Sequence, residues 1–191
     1  MKVHVLLFGA GLLLGATAMA QGQVMVSVGS GLAHDCFLYA KSGANPAQGV
    51  GVCDMALRNE MLTRKNRAAT YDNRGVILDR LGRTEQARAD FHQAITLDPE
   101  LGDPYVNLGS MLIKQGQHQA ALDQINKGLE LGMSYPHIGY YDRAVAQQLL
   151  GRYKEAYFDY KKVLELEPDF TLAADRLKDF TVTRAPAPKP G

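Results

Sequence analysis

The side chains able to carry chemistry are few and scattered. His34, His92, His118 and His137 fall one to a segment. No His-Glu-x-x-His or His-x-x-x-His spacing sets two imidazoles on one helix face, as a zinc site would need. There is no Gly-x-Ser-x-Gly elbow to expose a nucleophile and no glycine-rich loop to cradle a phosphate. The acids of Asp98-Pro99-Glu100 and Glu167-Pro168-Asp169 flank prolines. Such residues end one helix and begin the next, which is a turn role rather than that of a paired general acid and base. The expected chemistry is recognition: no enzyme, no cofactor and no metal.

What must position these residues is a repeat. Tyr71, Tyr105 and Tyr140 recur at intervals of 34 and then 35 residues. Gly82, Gly116 and Gly151 keep the same two intervals, as do Ala87, Ala121 and Ala156, and Leu97, Leu131 and Leu166. A fixed period of this size marks a solenoid of stacked supersecondary units. The extra residue lies between Leu131 and Tyr140, where the stacking rotation is expected to deviate. Within the first unit, Gly82 supplies a left-handed helix end and Thr84 is a candidate N-cap for the next helix. Gly75 and Ala87 read as small because the two helices cross there. Tyr71 and Phe91 read as core. In the second unit Gly128 takes the place of a small Ala, and Gly132-Met133-Ser134 takes the place of the Pro turn.

The ends read differently. Lys2 begins a short positive region, Val5 to Leu14 is apolar, and Ala18-Met19-Ala20 offers a small-x-small cleavage site. Residues 1–20 are expected to be a signal peptide cleaved after Ala20, Ala16-Thr17-Ala18 being a second site. The apolar run is short for a membrane span, and no Cys follows the cleavage site to take a lipid, so no stable membrane anchor is expected after cleavage. The mature chain would be periplasmic or secreted. Taking away residues 1–20 removes Lys2 and no acid, leaving 20 bases against 20 acids. That balance gives no reason to expect nucleic acid or an anionic membrane surface. Cys36 and Cys53 are the only cysteines, both ahead of the repeats. An even pair in an exported chain favours a disulfide, worth roughly 3 kcal/mol in the chain-entropy model. Two separate buried thiols and a pair of metal ligands are the alternatives, His34 being the only imidazole nearby.

In chain order, residues 21–30 form a loose leader and 31–67 a helical hairpin. Its first helix is expected over Gly31–Lys41 and its second from Pro46 to about Arg64, with Asn45 as N-cap and Pro46 in the first turn. Counting back 34 residues sets Cys53 at the place of Ala87, so the hairpin reads as a degenerate opening repeat. Three full repeats follow over 68–101, 102–136 and 137–170. A capping helix over 171–183 would cover the last repeat with Leu172, Leu177 and Phe180, and the Pro-rich tail 184–191 is expected to be disordered. The fold class is all-α.

Tyr71, Gly75, Leu78, Ala87, Phe91, Ala94 and Pro99 resemble the motif of the tetratricopeptide repeat. Arg74 and Arg143 depart from it, standing where the motif has Leu; Leu108 keeps it. The resemblance implies a right-handed superhelix of helix pairs whose first helices line a concave groove, commonly used to hold an extended peptide or a partner helix. Carried over place by place, it sets Ala69, Asp72, Asn73 and Val76 on the groove wall from the first repeat. Asp103, Val106, Asn107 and Ser110 come from the second, and Ile138, Tyr141, Asp142 and Val145 from the third. Asn73 and Asn107 share one place in successive repeats, and an Asn amide can pair with a peptide backbone.

Some relatives hold a C-terminal carboxylate with Lys, Asn, Asn, Lys and Arg. Those places here hold Asp72, Val76, Asn107, Ile138 and Asp142. Only Asn107 matches, and two lost places are acidic, so a carboxylate clamp is out of favour. The expected partner is a protein or peptide segment with Lys or Arg and some apolar anchors. The expected function is a non-catalytic scaffold or adaptor of the bacterial cell envelope; the alternative is a self-associating structural subunit.

Overall fold

The computed structural model describes Met25 and residues 31–181. The expected signal peptide, the rest of the leader and the Pro-rich tail lie outside the described residues. Those residues form helices and turns, with no strand among them. The helices are α1 (Leu32–Ser42), α2 (Pro46–Asn59), α3 (Arg64–Arg80), α4 (Thr84–Leu97), α5 (Asp103–Lys114), α6 (His118–Leu131), α7 (Pro136–Leu149), α8 (Tyr153–Leu166) and α9 (Thr171–Leu177). They pack as antiparallel pairs, α1 with α2, α3 with α4, α5 with α6 and α7 with α8, and α9 closes on α8. The first helices of successive pairs also meet, α1 with α3, α3 with α5 and α5 with α7.

Each full repeat turns at the same device. Gly82, Gly116 and Gly151 have φ of +72°, +74° and +74°, a region an L side chain enters only with strain. The following amide then reaches back to the helix: Arg83 N to Leu78 O at 2.9 Å, Gln117 N to Leu112 O at 2.9 Å and Arg152 N to Gln147 O at 2.8 Å. These bonds satisfy carbonyls that the end of a helix leaves unpaired. Thr84 is the first residue of α4 rather than its cap; Arg83 stands at that place without a side-chain bond. A side-chain cap does form on α3, where Thr63 accepts from Asn66 N at 3.2 Å.

The crossing of the paired helices is set by glycine against a large neighbour. A Cβ at Gly75 would lie 2.6 Å from Phe91 Cε1, and one at Gly109 would lie 2.4 Å from Ile125 Cγ1. Gly75 is therefore small because of Phe91, while Ala87 packs in the same buried layer. Gly128 has its own reason: a Cβ there would meet Gly102 O and Val106 Cγ2 at 2.6 Å. It lets α6 close on the entry to α5.

The N-terminal hairpin carries a disulfide between Cys36 of α1 and Cys53 of α2, with Cα atoms 4.8 Å apart. Both residues are fully buried. Pro46 opens α2 as expected, but Asn45 takes a left-handed conformation and makes no side-chain cap bond. Instead, Glu60 reaches back from the end of α2 to the open amides of α1, at 2.6 Å from Leu32 N and 3.0 Å from Ala33 N. α2 stops at Asn59, short of Arg64. Both α2 and α4 have 14 residues, yet Pro46 and Thr84 stand 38 apart rather than 34. The surplus enters α3, which has 17 residues against 12 in α5. Cys53 thus matches Phe91 rather than Ala87, and the bridge takes the place of the aromatic packing of a full repeat.

At the other end α9 is shorter than expected. Ala173 is its buried residue, with Leu177 and Phe180 packed on the last repeat; the Phe180 ring lies 5.9 Å from that of Tyr160. Leu172 is more exposed than a covering residue would be.

Candidate interaction surface

α3, α5 and α7 lie side by side, and the polar residues they present to one another form a ladder. Asn107 Nδ2 donates to Asp72 Oδ1 at 3.0 Å, joining α5 to α3. Ser110 Oγ donates to Asp142 Oδ2, joining α5 to α7. Asp103, in the first turn of α5, accepts from Ser134 N at 3.0 Å and so ties the junction before α7. At the rim, Lys114 Nζ bridges to Asp79 Oδ2 at 2.7 Å. These bonds run between neighbouring repeats and fix their rotation.

The ladder is enclosed. Asp72, Asn73, Val76, Asp103, Val106, Asn107, Ser110, Ile138, Tyr141, Asp142 and Val145 are all buried, and Ile138, the most open of them, shows 8% of its surface. The resemblance led to an expectation of an open groove wall; the side chains named for it are buried, Asp72, Asn107, Ser110, Asp142 and Asp103 in bonds between repeats. Tyr141 is buried within its own repeat: its ring stands 5.7 Å from Tyr160 and 5.3 Å from Phe170, on the side of α8 and the turn before α9. Burial pushes the carboxyl of Asp72 well above the usual range, with Asp103 adding repulsion and the Asn107 bond opposing. Burial raises Asp142 to about 7, against the pull of Ser110 and Lys114. Asp103 is also raised by burial. Asp72 Oδ2 accepts no hydrogen bond among the described residues.

Sequence reasoning missed a second constellation. Arg74 binds Asp90 through Nε and Nη2, both at 2.7 Å, and Asp54 through Nη1 at 2.5 Å. Its guanidinium lies over the ring of Tyr71 at 5.3 Å. Arg143 repeats this: Nε and Nη2 to Asp159 at 2.7 and 2.8 Å, Nη1 to Asn126 at 3.1 Å, and the Tyr140 ring at 5.0 Å. The two residues that break the motif are therefore the hubs that join helix pairs, since Asp54 and Asn126 belong to the preceding unit. Asp90 is pushed up by burial while Arg74 is held protonated chiefly by its bond to Asp90. Two parallel N–H···O bonds in fork geometry decide between these, and the pair is ionic at neutral pH. The available signal was the tie between two departures: Arg74 with Asp90 and Arg143 with Asp159 stand at matching places, and where Leu108 keeps the motif Gln124 replaces the acid.

Stacked helix pairs joined through their first helices define a helical-repeat scaffold, a class that presents surface rather than a reaction centre. Family profiles described as tetratricopeptide repeat match residues 137–170, 68–101 and 102–131. The chain belongs to the tetratricopeptide repeat family. A curated relative, "Lipoprotein NlpI homolog" of Haemophilus influenzae, is 34% identical over 101 residues, covering 52% of this chain and 31% of its own length. The chain thus spans about a third of the length of that relative. Among solved structures, PilW, a type IV pilus biogenesis factor, is similar with a TM-score of 0.65 and 19% identity, over 78% of this chain and 68% of its own. MamA is similar with a TM-score of 0.58 and 17% identity, over 78% and 82%. The first repeat domain of Spaghetti, bound to an HSP90 peptide, is similar with a TM-score of 0.56 and 24% identity, over 62% and 94%. At these identities the solved structures establish the shared fold. No helix among the described residues is long and apolar enough to cross a membrane.

Proposed function

We propose that this protein is a non-catalytic scaffold of the cell envelope that holds a segment of another protein along the face made by α3, α5 and α7. The observation that carries the reading is the ladder of Asp72, Asn107, Ser110 and Asp142, which crosses three successive repeats on one face. The ladder is itself closed to water, and its bonds set the rotation of the three repeats and so the spacing of the face they build. A face of fixed spacing made by successive repeats suits an extended segment laid across it. The envelope assignment is supported by the signal-like residues 1–20 and by the words lipoprotein and pilus biogenesis in the names of two similar proteins.

Photo-crosslinking in the producing cell tests this. The probe replaces Lys114, whose ammonium is exposed at the rim of the face, and the control probe replaces Lys127, exposed on α6. The expected outcome is a discrete heavier band containing another protein from the Lys114 probe and not from the Lys127 probe. A band only at twice the protomer mass assigns self-assembly instead. No band from Lys114 refutes capture on this face.

A further inference from the structure

We propose that the protein associates head to tail with further copies of itself, the basic corner at the start of α3 meeting the acidic corner at the end of α8 in the next copy. This goes beyond capture of another protein and leaves the α3, α5 and α7 face free. α2, α4, α6 and α8 all end at one edge of the stack, because the pairs are antiparallel and their first helices lie side by side. The bond from Arg64 Nε to Leu97 O ties two neighbouring turns of that edge. Charge is divided along it. Residues 58–67 hold four bases and one acid, Glu60, whose carboxylate is taken up by the amides of Leu32 and Ala33. The later turns, 98–103, 130–137 and 165–169, hold acids and neither Lys nor Arg.

Helix stability does not account for this division. A helix start favours acids and a helix end favours bases, yet α3 has no acid in its first turn and α8 no base in its last. Arg64 and Arg67 each place a nitrogen on a carbonyl, Leu97 O and Leu57 O, which leaves their charge uncompensated. Glu165 is shared with Lys162, so Glu167 and Asp169 carry the acidic corner. Each corner also presents apolar side chains to water. Met61 is fully exposed between Arg58 and Arg64, and Leu166 and Leu172 are exposed on either side of Glu167 and Asp169. Apolar groups ringed by one sign at each end, with opposite signs at the two ends, are the complement a second copy supplies. Met61 among bases would also suit an anionic lipid surface, but the acids of the other three turns lie along the same edge and oppose it. A closed antiparallel dimer along this edge would set Asp98 and Glu100 of each copy against Glu130 of the other. Contact between opposite ends avoids that repulsion, and it is a heterologous contact that lets the chain of copies grow.

Sedimentation velocity on the full mature chain tests this. At about 50 mM salt the average mass is expected to rise with concentration past twice the protomer mass, and about 500 mM salt is expected to weaken the association about tenfold. Arg58→Glu with Lys65→Glu gives excess acid at both corners, and Glu167→Lys with Asp169→Lys gives excess base at both. Each variant alone is expected to be monomeric, and an equal mixture of the two is expected to associate again. If either reversal loses helicity by circular dichroism, Lys65→Gln and Asp169→Gln replace the reversals, each expected to weaken the association. A parent that stays monomeric at low salt overturns the proposal, as does association that salt leaves unchanged or a mixture of reversed variants that stays monomeric. A mass that stops at two protomers overturns growth from end to end. A monomeric parent that floats with vesicles of phosphatidylglycerol and phosphatidylcholine, while its Arg58→Glu, Lys65→Glu variant does not, assigns the basic corner to lipid instead. Lys114, at the end of α5, lies at the opposite edge, so the crosslink there reports capture independently.

Discussion

Arg143 and Arg74 show how a residue that breaks a motif can strengthen the element that holds it. A leucine at this place adds apolar area to one helix pair. The guanidinium instead binds one carboxylate through two nitrogens, lies over a tyrosine ring and sends its third nitrogen to the preceding pair. Asp159 keeps 10% of its side chain exposed, so truncating Arg143 would leave a nearly buried charge without its partner. Arg143→Ala is expected to lower unfolding stability by about 3 kcal/mol, read from urea denaturation at neutral pH. Replacing both members, Arg143→Leu with Asp159→Leu, is expected to recover most of that loss, since apolar groups of similar volume often replace a buried pair at no net cost. If the double variant is no more stable than Arg143→Ala, the carboxylate is not what the single variant strands. The disulfide has a comparable place in the hairpin, bridging α1 and α2 where Cys53 replaces the aromatic of a full repeat.

At the scale of the element, the helix pair is set by how closely two backbones approach. Gly109 on α5 faces Ile125 and the backbone of Ala121 on α6, where a Cβ would lie 3.1 Å from Ala121 O. A methyl group there must move a branched side chain and press on a carbonyl that cannot move alone. Gly109→Ala is expected to destabilise by about 1 to 3 kcal/mol despite its better helix propensity. In the background Ile125→Ala the same change is expected to cost clearly less, as a double-mutant cycle on thermal unfolding would register. Equal costs in both backgrounds would assign the strain to Ala121 O rather than to Ile125. This part of the molecule was legible: the repeated glycines and alanines state where helices turn and cross, because backbone proximity leaves few alternatives. The hairpin was read less well, since counting 34 residues back assumes a register that only the repeats enforce. The four surplus residues lengthen α3, and nothing in the local sequence distinguishes a longer helix from a longer loop there.

For the whole molecule, the wall residues were legible as positions and not as environments. Asp72, Asn107 and Asp142 can be assigned to one face by counting, but whether water reaches them depends on everything packed over that face. A sequence pattern carries no such information. Their burial has a consequence for pH. Asp142 is held at about 7, against about 3.9 in an unfolded chain. Between those values the native state keeps a proton that the unfolded state has released, so stability falls as pH rises through this window. Asp72, Asp90 and Asp103 are shifted in the same direction. His137 works against them, because burial lowers its pKa and the unfolded chain takes up a proton first as pH falls. The groups around Asp142 are Ser110 and Lys114 of α5 and Tyr160 of α8. The ammonium of Lys114 is also bridged to Asp79 on α3. Urea unfolding of the parent and of Asp142→Asn at pH 5, 6, 7 and 8 isolates the Asp142 contribution, since His137 and the other acids are common to both. The parent is expected to lose stability relative to Asp142→Asn on going from pH 5 to pH 8, by up to about 1 kcal/mol for each pH unit. Parallel curves would mean that Asp142 reaches solvent, and that the inner face is open when the protein is free.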